Sequence, residues 1–578
     1  MRRLVRGWAE RLPLDFRVLY RQFLLRVVDL EALSIQADIP RFLGQFAGVL
    51  IMFSLIEALG LFIHPPMTGL RLLSLTWFTE QRMIATTMLV AGLVAVISWD
   101  NIFPDRRDVM VLAPLPLRPR TILSAKVAAS GAVLGIAALA LNCAVSVALP
   151  LLLGGIPGFL PIAAAYWFAV VAASVFVYSL VLAVQGLTAL LLPRRIFLRV
   201  SALLQLGGFI LFLGAYFLLP YLNTPAAMVA RENQRMLAWA PPFWFFGFFN
   251  QLNMSLPHGL IWLAERAWMG LGIVVFAAAV SLLLCYFKTM KKMVEEPDLV
   301  PGRVPGARGW YWSPRFGSGL QTAVVLFSAR SLARSRHHRV AFAFSLAIVF
   351  AIALSSLREV IAAAAPRPLT AGFFVATYMM MTIAVIGLRS VFSLPITLNA
   401  NWVLRVTQLC SSEKYIAATR CALVLLAAAP VWLCAVLLSL WFRPLYLSAG
   451  HLLVLILVGF ILADLSLIGV SKIPFACSYL PGKTNIQYVF WGFPILVFPI
   501  AGWFAGYELR VLHHPMQYVW MVCALVTIAI GLWAFNRHRA KSAVLYFEEL
   551  PPEVITTLGL SQIRPAAMEG VKALNGLH

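Results

Sequence analysis

About twelve long apolar runs follow one another along this 578-residue chain, and that regularity limits what it can fold into more than any motif does. A run of roughly 20 apolar residues matches the hydrocarbon thickness of a bilayer, and only a helix of that length satisfies its own backbone polar groups in lipid. No interval between the runs is long enough for an independent soluble catalytic domain. The composition agrees, with 61% hydrophobic and 12% charged residues and a mean hydropathy of +0.86, against about a quarter charged in soluble domains. The expectation is an all-α membrane protein of about twelve transmembrane helices in two six-helix halves.

The first six spans are predicted at 43–63, 83–103, 123–153, 160–192, 197–222 and 267–288, and the second six at 340–357, 372–397, 416–441, 451–471, 486–507 and 516–535. On this reading residues 1–294 form the first half and 295–313, rich in Pro and Gly, a cytoplasmic linker. Residues 314–545 form the second half and 546–578 a cytoplasmic tail.

The net charge of +23 does not mark a nucleic-acid binder. The basic residues recur in short loops instead of collecting in one aromatic-interleaved domain. With the N-terminus inside, about 37 of the 46 Lys and Arg fall on the cytoplasmic side, and the positive-inside rule then places both termini in the cytoplasm. A multi-pass bacterial inner-membrane protein fits this pattern, and the basic N-terminus lacks the short apolar core and cleavage site of a signal peptide. The external loops are short except for 223–266, where the aromatic run Ala240–Phe246 is too short to cross and is expected to dip into or lie along the outer interface. Seven scattered cysteines show no metal-type spacing and read as small buried apolar residues.

Each set of six is preceded by a stretch that fits an amphipathic helix on the membrane surface. In the first, Leu19, Phe23, Val27 and Leu30 share a face away from Arg17, Arg21 and Asp29; the second, over 322–338, combines Val325, Leu326 and Phe327 with Arg330, Arg334 and Arg336. Two such lead-in helices and two sets of six runs point to an internal duplication. An offset of 294 residues matches Ile102 with Ile396, Val109 with Val403, Leu115 with Leu409 and Ile122 with Ile416, and sets Lys126 against Arg420.

Between the second and third spans lies FPDRRDVMVLAPLPLRPRTILSAK, where charge gives way to a short apolar segment stiffened by Pro114, Pro116 and Pro119. A short rigid element there can transmit a push from a cytosolic partner to both helices; the plain alternative is a solvated loop carrying positive-inside charge. This loop, following a basic amphipathic helix, resembles the permease subunits of ABC-2 type transporters. The resemblance implies an ABC ATPase subunit as partner, with ATP and Mg bound there and no cofactor in this chain. It places Asp105, Arg106, Asp108, Leu112, Leu115, Pro116 and Arg120 in the ATPase-facing loop, with Lys126 opening the next span. The second half departs from the pattern, since Trp402 stands against Asp108 and Gln408 and Cys410 against Pro114 and Pro116.

Pro481-Gly482-Lys483-Thr484 ends like a phosphate-binding loop, but Cys477 stands where the first Gly belongs and a span precedes it instead of a strand. The adjacent pairs His337-His338 and His513-His514 cannot share one helical face as metal ligands and read as solvated loop residues. Ionisable groups within spans are costly in lipid and therefore candidates for function. Glu57, Asp464 and Arg389 are the candidates for a translocation path or proton relay, against the alternative of structural ion pairs. Asn142, Gln185 and Gln205 are expected to form interhelical hydrogen bonds. The chain is thus expected to be a non-enzymatic permease, in all expectation an exporter, driven by a separate ATPase. The alternatives are a proton-coupled secondary transporter using Glu57 or Asp464 and a membrane-embedded lipid-linked transferase.

Overall fold

The computed structural model describes residues 13–28, 39–63, 70–99, 112, 115–255, 257–295, 314–361, 370–394, 412–440, 445–469, 474–475 and 486–542. These residues contain helices and no strand. We number the principal ones α1 (Leu14–Val28), α2 (Ile39–Ile63), α3 (Leu70–Ile97), α4 (Pro119–Asn142), α5 (Val145–Leu191), α6 (Arg194–Leu218), α7 (Pro241–Leu252) and α8 (Ile261–Glu295). The series continues with α9 (Gly319–Arg334), α10 (Arg336–Ile361), α11 (Ala371–Phe392), α12 (Ser412–Leu423, carried on to Ser439), α13 (Leu445–Ser466), α14 (Ile486–Val511) and α15 (Pro515–Ser542). Among the described residues, ten helices are long and apolar enough to cross a membrane; α6 contributes a shorter apolar stretch, Leu203–Leu218. Large apolar side chains such as Leu55, Leu59 and Phe62 on α2, Phe276 and Leu284 on α8 and Trp520 on α15 point outward. That apolar girdle is a surface built for lipid.

The 47-residue α5 is two helical segments. Gly155 adopts φ 58° and ψ −159°, a conformation open to glycine alone, and Pro157 follows it. Asn142 and Tyr166 would stand about 36 Å apart along a straight helix, yet the Tyr166 hydroxyl donates to Asn142 Oδ1 at 2.7 Å. The chain therefore folds back at Gly155, as the separate predicted spans 123–153 and 160–192 require. Where α4 gives way to α5, the N–H groups of Ala144 and Val145 donate to Ser54 Oγ on α2 at 3.1 and 3.3 Å. A side chain inserted into the backbone ladder is an established cause of such a break.

Helix α3 begins well before the predicted residue 83. Its first turns carry Arg71, Thr79, Glu80, Gln81 and Arg82, which depress hydropathy, yet Glu80 meets Asn250 of α7 and Arg82 meets Glu57 of α2, so the helix continues through them. Helix α12 contains a π-helical stretch at Val424–Ala428, just ahead of Pro430, whose missing N–H disturbs the regular ladder.

One apolar core gathers residues from Leu50 to Cys285 and draws in Ala343, Ala347 and Ala351 of α10; a second runs from Val325 to Met521. The same neighbour pattern recurs in each. Helix α1 packs on α4 as α9 packs on α12; α3 packs on α5 and α6 as α11 packs on α13 and α14; α5 packs on α8 as α13 packs on α15. Between the two cores, α6 runs along α10 and α14 touches α2. The end of the bundle carrying α1 and α9 is here called proximal, and the end carrying α7 distal.

Candidate functional site

At the proximal end, α1 buries Leu19 and Phe23 against Ile122, Ala125 and Ala129 of α4, and Leu112 and Leu117 pack against the same cluster. Both flanks of the described loop segment are thereby held to α1 and α4. Leu115, Pro116, Arg118 and Arg120 between and beside them are exposed. The backbone turns tightly there, Leu115 N–H donating to Leu112 O at 3.2 Å and Leu117 N–H to Leu115 O at 2.7 Å. Lys126 is buried, its Nζ 5.1 Å from the centre of the Phe23 ring. Asp105, Arg106 and Asp108 lie outside the described residues, as does the phosphate-loop-like segment 481–484.

The second lead-in helix, α9, starts with a reciprocal capping box between Ser318 and Gln321 and buries Val324, Val325, Ser328 and Ser331. Phe327 is exposed instead of sharing that face, because burial follows the 324, 325, 328, 331 spacing. Arg420 of α12, the residue matched with Lys126, lies beneath α9 beside a cavity of about 620 Å³ that Gln321, Glu413, Asp464, Trp533 and Arg537 also line.

The three intramembrane candidates all have structural partners. Glu57 of α2 is paired with Arg82 of α3, whose guanidinium also stacks 4.6 Å from the Phe78 ring centre. Asp464, wholly buried, accepts from Arg420 Nε at 2.7 Å and from its Nη2 at 2.9 Å. Arg389 donates to the Ser466 carbonyl at 3.1 Å and to Ser393 Oγ at 2.7 Å, closing the end of α13.

The amide residues fulfil their predicted role. Asn142 Nδ2 donates to Thr87 Oγ1 at 3.0 Å, Gln205 to the Val96 carbonyl at 2.9 Å, and Gln185 to the Trp99 carbonyl. The histidine reading needs one correction. His513 is exposed, but His338 is buried between Ser335 Oγ (2.6 Å) and the Leu394 carbonyl (2.9 Å), because α10 begins before it and carries it inward. Cys143 and Cys523 are likewise exposed rather than buried.

Two buried acidic sites were not anticipated. Glu80 of α3 accepts from Asn250 Nδ2 of α7 at 2.9 Å. Helix α7 is the aromatic run, with Phe243, Phe245, Phe246, Phe248 and Phe249 buried. It approaches α8 so closely that a Cβ on Gly247 would stand 2.7 Å from Leu263 Cβ, so the run is tucked inside the distal end, the first of the two expected placements. The other site joins α11, α13 and α14. The Tyr378 hydroxyl donates to Glu508 Oε2, His451 Nδ1 lies 3.0 Å from Glu508 Oε1, and His451 Nε2 lies 2.8 Å from Thr377 Oγ1. His451 and Glu508 are fully buried, and Phe374 stacks on the imidazole at 4.1 Å. The available signal was weak, because the predicted spans began at residue 451 and ended at 507, which put one group at a boundary and the other just outside.

A second cavity, of about 660 Å³, lies toward the distal end between α3, α5 and α6, with Leu354 of α10 completing its wall. Its lining is apolar, from Met88, Phe176, Leu180 and Phe212 among others; Tyr216, hydrogen-bonded to Thr86 at 3.1 Å, brings one hydroxyl to it.

Long apolar helices and an outward apolar girdle make this a multi-pass membrane protein. No family model, no curated protein and no solved structure matches the chain.

Proposed function

We propose that the chain is the membrane-embedded permease of an ATP-driven exporter, built as two fused six-helix halves and worked by a separate ABC ATPase subunit. The observation that carries this reading is the anchored turn at 112–120. Leu112 and Leu117 hold it to α1 and α4, while Leu115, Pro116 and Arg120 face outward. A partner pressing on that surface moves α4 directly, with no slack to absorb the displacement. The recurrence of the α1–α4 packing as α9–α12 supports a duplicated scaffold, and the positive-inside charge supports a cytoplasmic position for the loops at the proximal end. The apolar cavity within the first half, closed by Leu354 of α10, is where cargo with an apolar portion would be held.

Against the proton-coupled alternative, Glu57 and Asp464 are each paired with an arginine, Arg82 and Arg420. An embedded transferase needs acid groups open to substrate, whereas Glu508 and His451 are buried side chains. Purification of the full chain with its native host's ATPases tests the proposal. The expected result is a co-purifying ATPase whose turnover rises in the presence of this chain and falls back with Leu115→Asp or Arg120→Glu, with membrane insertion unchanged. Transport that persists without ATP and collapses with the proton gradient overturns it.

A further inference from the structure

We infer that Tyr378, Glu508, His451 and Thr377 form a reversible binding site for a single proton at the distal end of the bundle. The argument rests on counting donors and acceptors. The Thr377 hydroxyl lies within reach of three acceptors: the Phe373 carbonyl at 3.1 Å, the Phe374 carbonyl at 2.9 Å and His451 Nε2 at 2.8 Å. On the other side of the ring, His451 Nδ1 lies 3.0 and 3.2 Å from the two Glu508 oxygens.

When Thr377 donates to Nε2, the imidazole is neutral and carries its proton on Nδ1, which donates to an ionised Glu508. The cluster then has a charge of −1. When Thr377 turns its hydrogen to a backbone carbonyl, its oxygen accepts from an Nε2–H, and a proton must also occupy the Nδ1···Glu508 contact. That proton resides either on Nδ1 as imidazolium or on Glu508 as the acid, and the cluster is neutral. Both states satisfy the polar groups of the imidazole and carboxyl, which buried groups require. They differ by one proton taken from or returned to water and by the rotation of one hydroxyl. A static ion pair such as Arg420–Asp464 has no second satisfied arrangement, because a guanidinium does not deprotonate.

Among the described residues facing the cluster, Thr377 and Tyr378 come from α11, His451 from α13 and Glu508 from α14, and Tyr518 on α15 turns its hydroxyl to the Gly450 carbonyl at 2.9 Å. Arg510 on α14 is exposed and bonds the Gly506 carbonyl. Glu57 on neighbouring α2 is held by Arg82, and the Arg420–Asp464 pair lies toward the other end of α13, about 20 Å along the helix. The ion-pair partner recorded for Glu508 among the described residues is His451. The exposed His513 and His514 follow α14 at the same end. Because α14 also touches α2, proton occupancy bears on a helix at the contact between the two cores.

The test uses the full chain in nanodiscs of uncharged lipid, without ATPase or cargo, so its outcome is independent of the transport proposal. Infrared difference spectra between pH 5 and 9 are expected to show a reversible one-proton step with carboxyl and imidazole bands. Glu508→Gln should abolish it, and Thr377→Val should move its midpoint downward, because the hydroxyl that partners Nε2 in both states is lost and the N–H stranded in the protonated state costs more than the bare lone pair of the other. Identical spectra in wild type and Glu508→Gln, or an unmoved midpoint in Thr377→Val, overturn the inference. Should Glu508→Gln fail to fold, His451→Asn decides, since a carboxyl band with unchanged pH response in that variant has the same force.

Discussion

Removing Arg420 should damage this protein more than removing Asp464, although the two belong to one ion pair. Asp464 is wholly buried, whereas the Arg420 side chain is 28% exposed into the proximal cavity. Arg420→Met therefore strands a buried carboxylate without the guanidinium that pairs with it. Breaking a buried pair in that way costs about 3–5 kcal/mol, or roughly two to three and a half powers of ten in the folding equilibrium. Asp464→Asn leaves a guanidinium that still reaches the cavity and stacks 5.5 Å from the Phe460 ring centre; by the exposed-pair standard the loss is about 1 kcal/mol or less. The double variant Arg420→Met/Asp464→Leu removes both charges and should recover most of the stability, since replacing a buried pair with apolar groups is often neutral or better. Reversible unfolding in mixed detergent micelles, read by circular dichroism, measures all three. If Asp464→Asn is as harmful as Arg420→Met and the double variant is simply additive, the pair is not a desolvation-dominated structural bridge and Asp464 returns as a functional candidate.

Asn142→Leu leaves the Tyr166 hydroxyl without its acceptor and Thr87 without its side-chain partner; the same unfolding assay should show a loss of about 1–2 kcal/mol. Gly247→Val forces α7 away from Leu263, and overpacking of this kind should cost about 1–3 kcal/mol, seen as a lower melting midpoint with the aromatic near-ultraviolet signal weakened. Charge reversal at Asp105 and Asp108 should lower ATPase stimulation while leaving insertion and melting unchanged; unaltered stimulation counts against the loop as the coupling surface.

Hydropathy located nearly every helix to within a few residues, and it failed where polar groups are buried in pairs. The first turns of α3 carry Glu80 and Arg82, which look unsuited to a membrane until Asn250, about 170 residues away, and Glu57 are brought to them. The same blindness placed His451 and Glu508 at or beyond span boundaries and read His338 as a solvated loop residue. The lead-in helices were legible because their apolar periodicity is local, although the face that α9 buries is set by α12 and not by the most hydrophobic residues available.

That the chain crosses a bilayer many times, as helices, follows from the amino acids alone. Apolar length is a property of consecutive residues, and lipid leaves the backbone no other way to satisfy its hydrogen bonds. Which charges meet was decided only by packing. Arg82 lies 25 residues from Glu57, Arg420 lies 44 from Asp464, and His451 lies 57 from Glu508. No local pattern encodes such pairings, because they depend on which helices become neighbours and at what depth. The tertiary structure thus gave two candidate functional acids arginine partners and brought Tyr378, His451 and Glu508 together from residues that, taken singly, carried no signal.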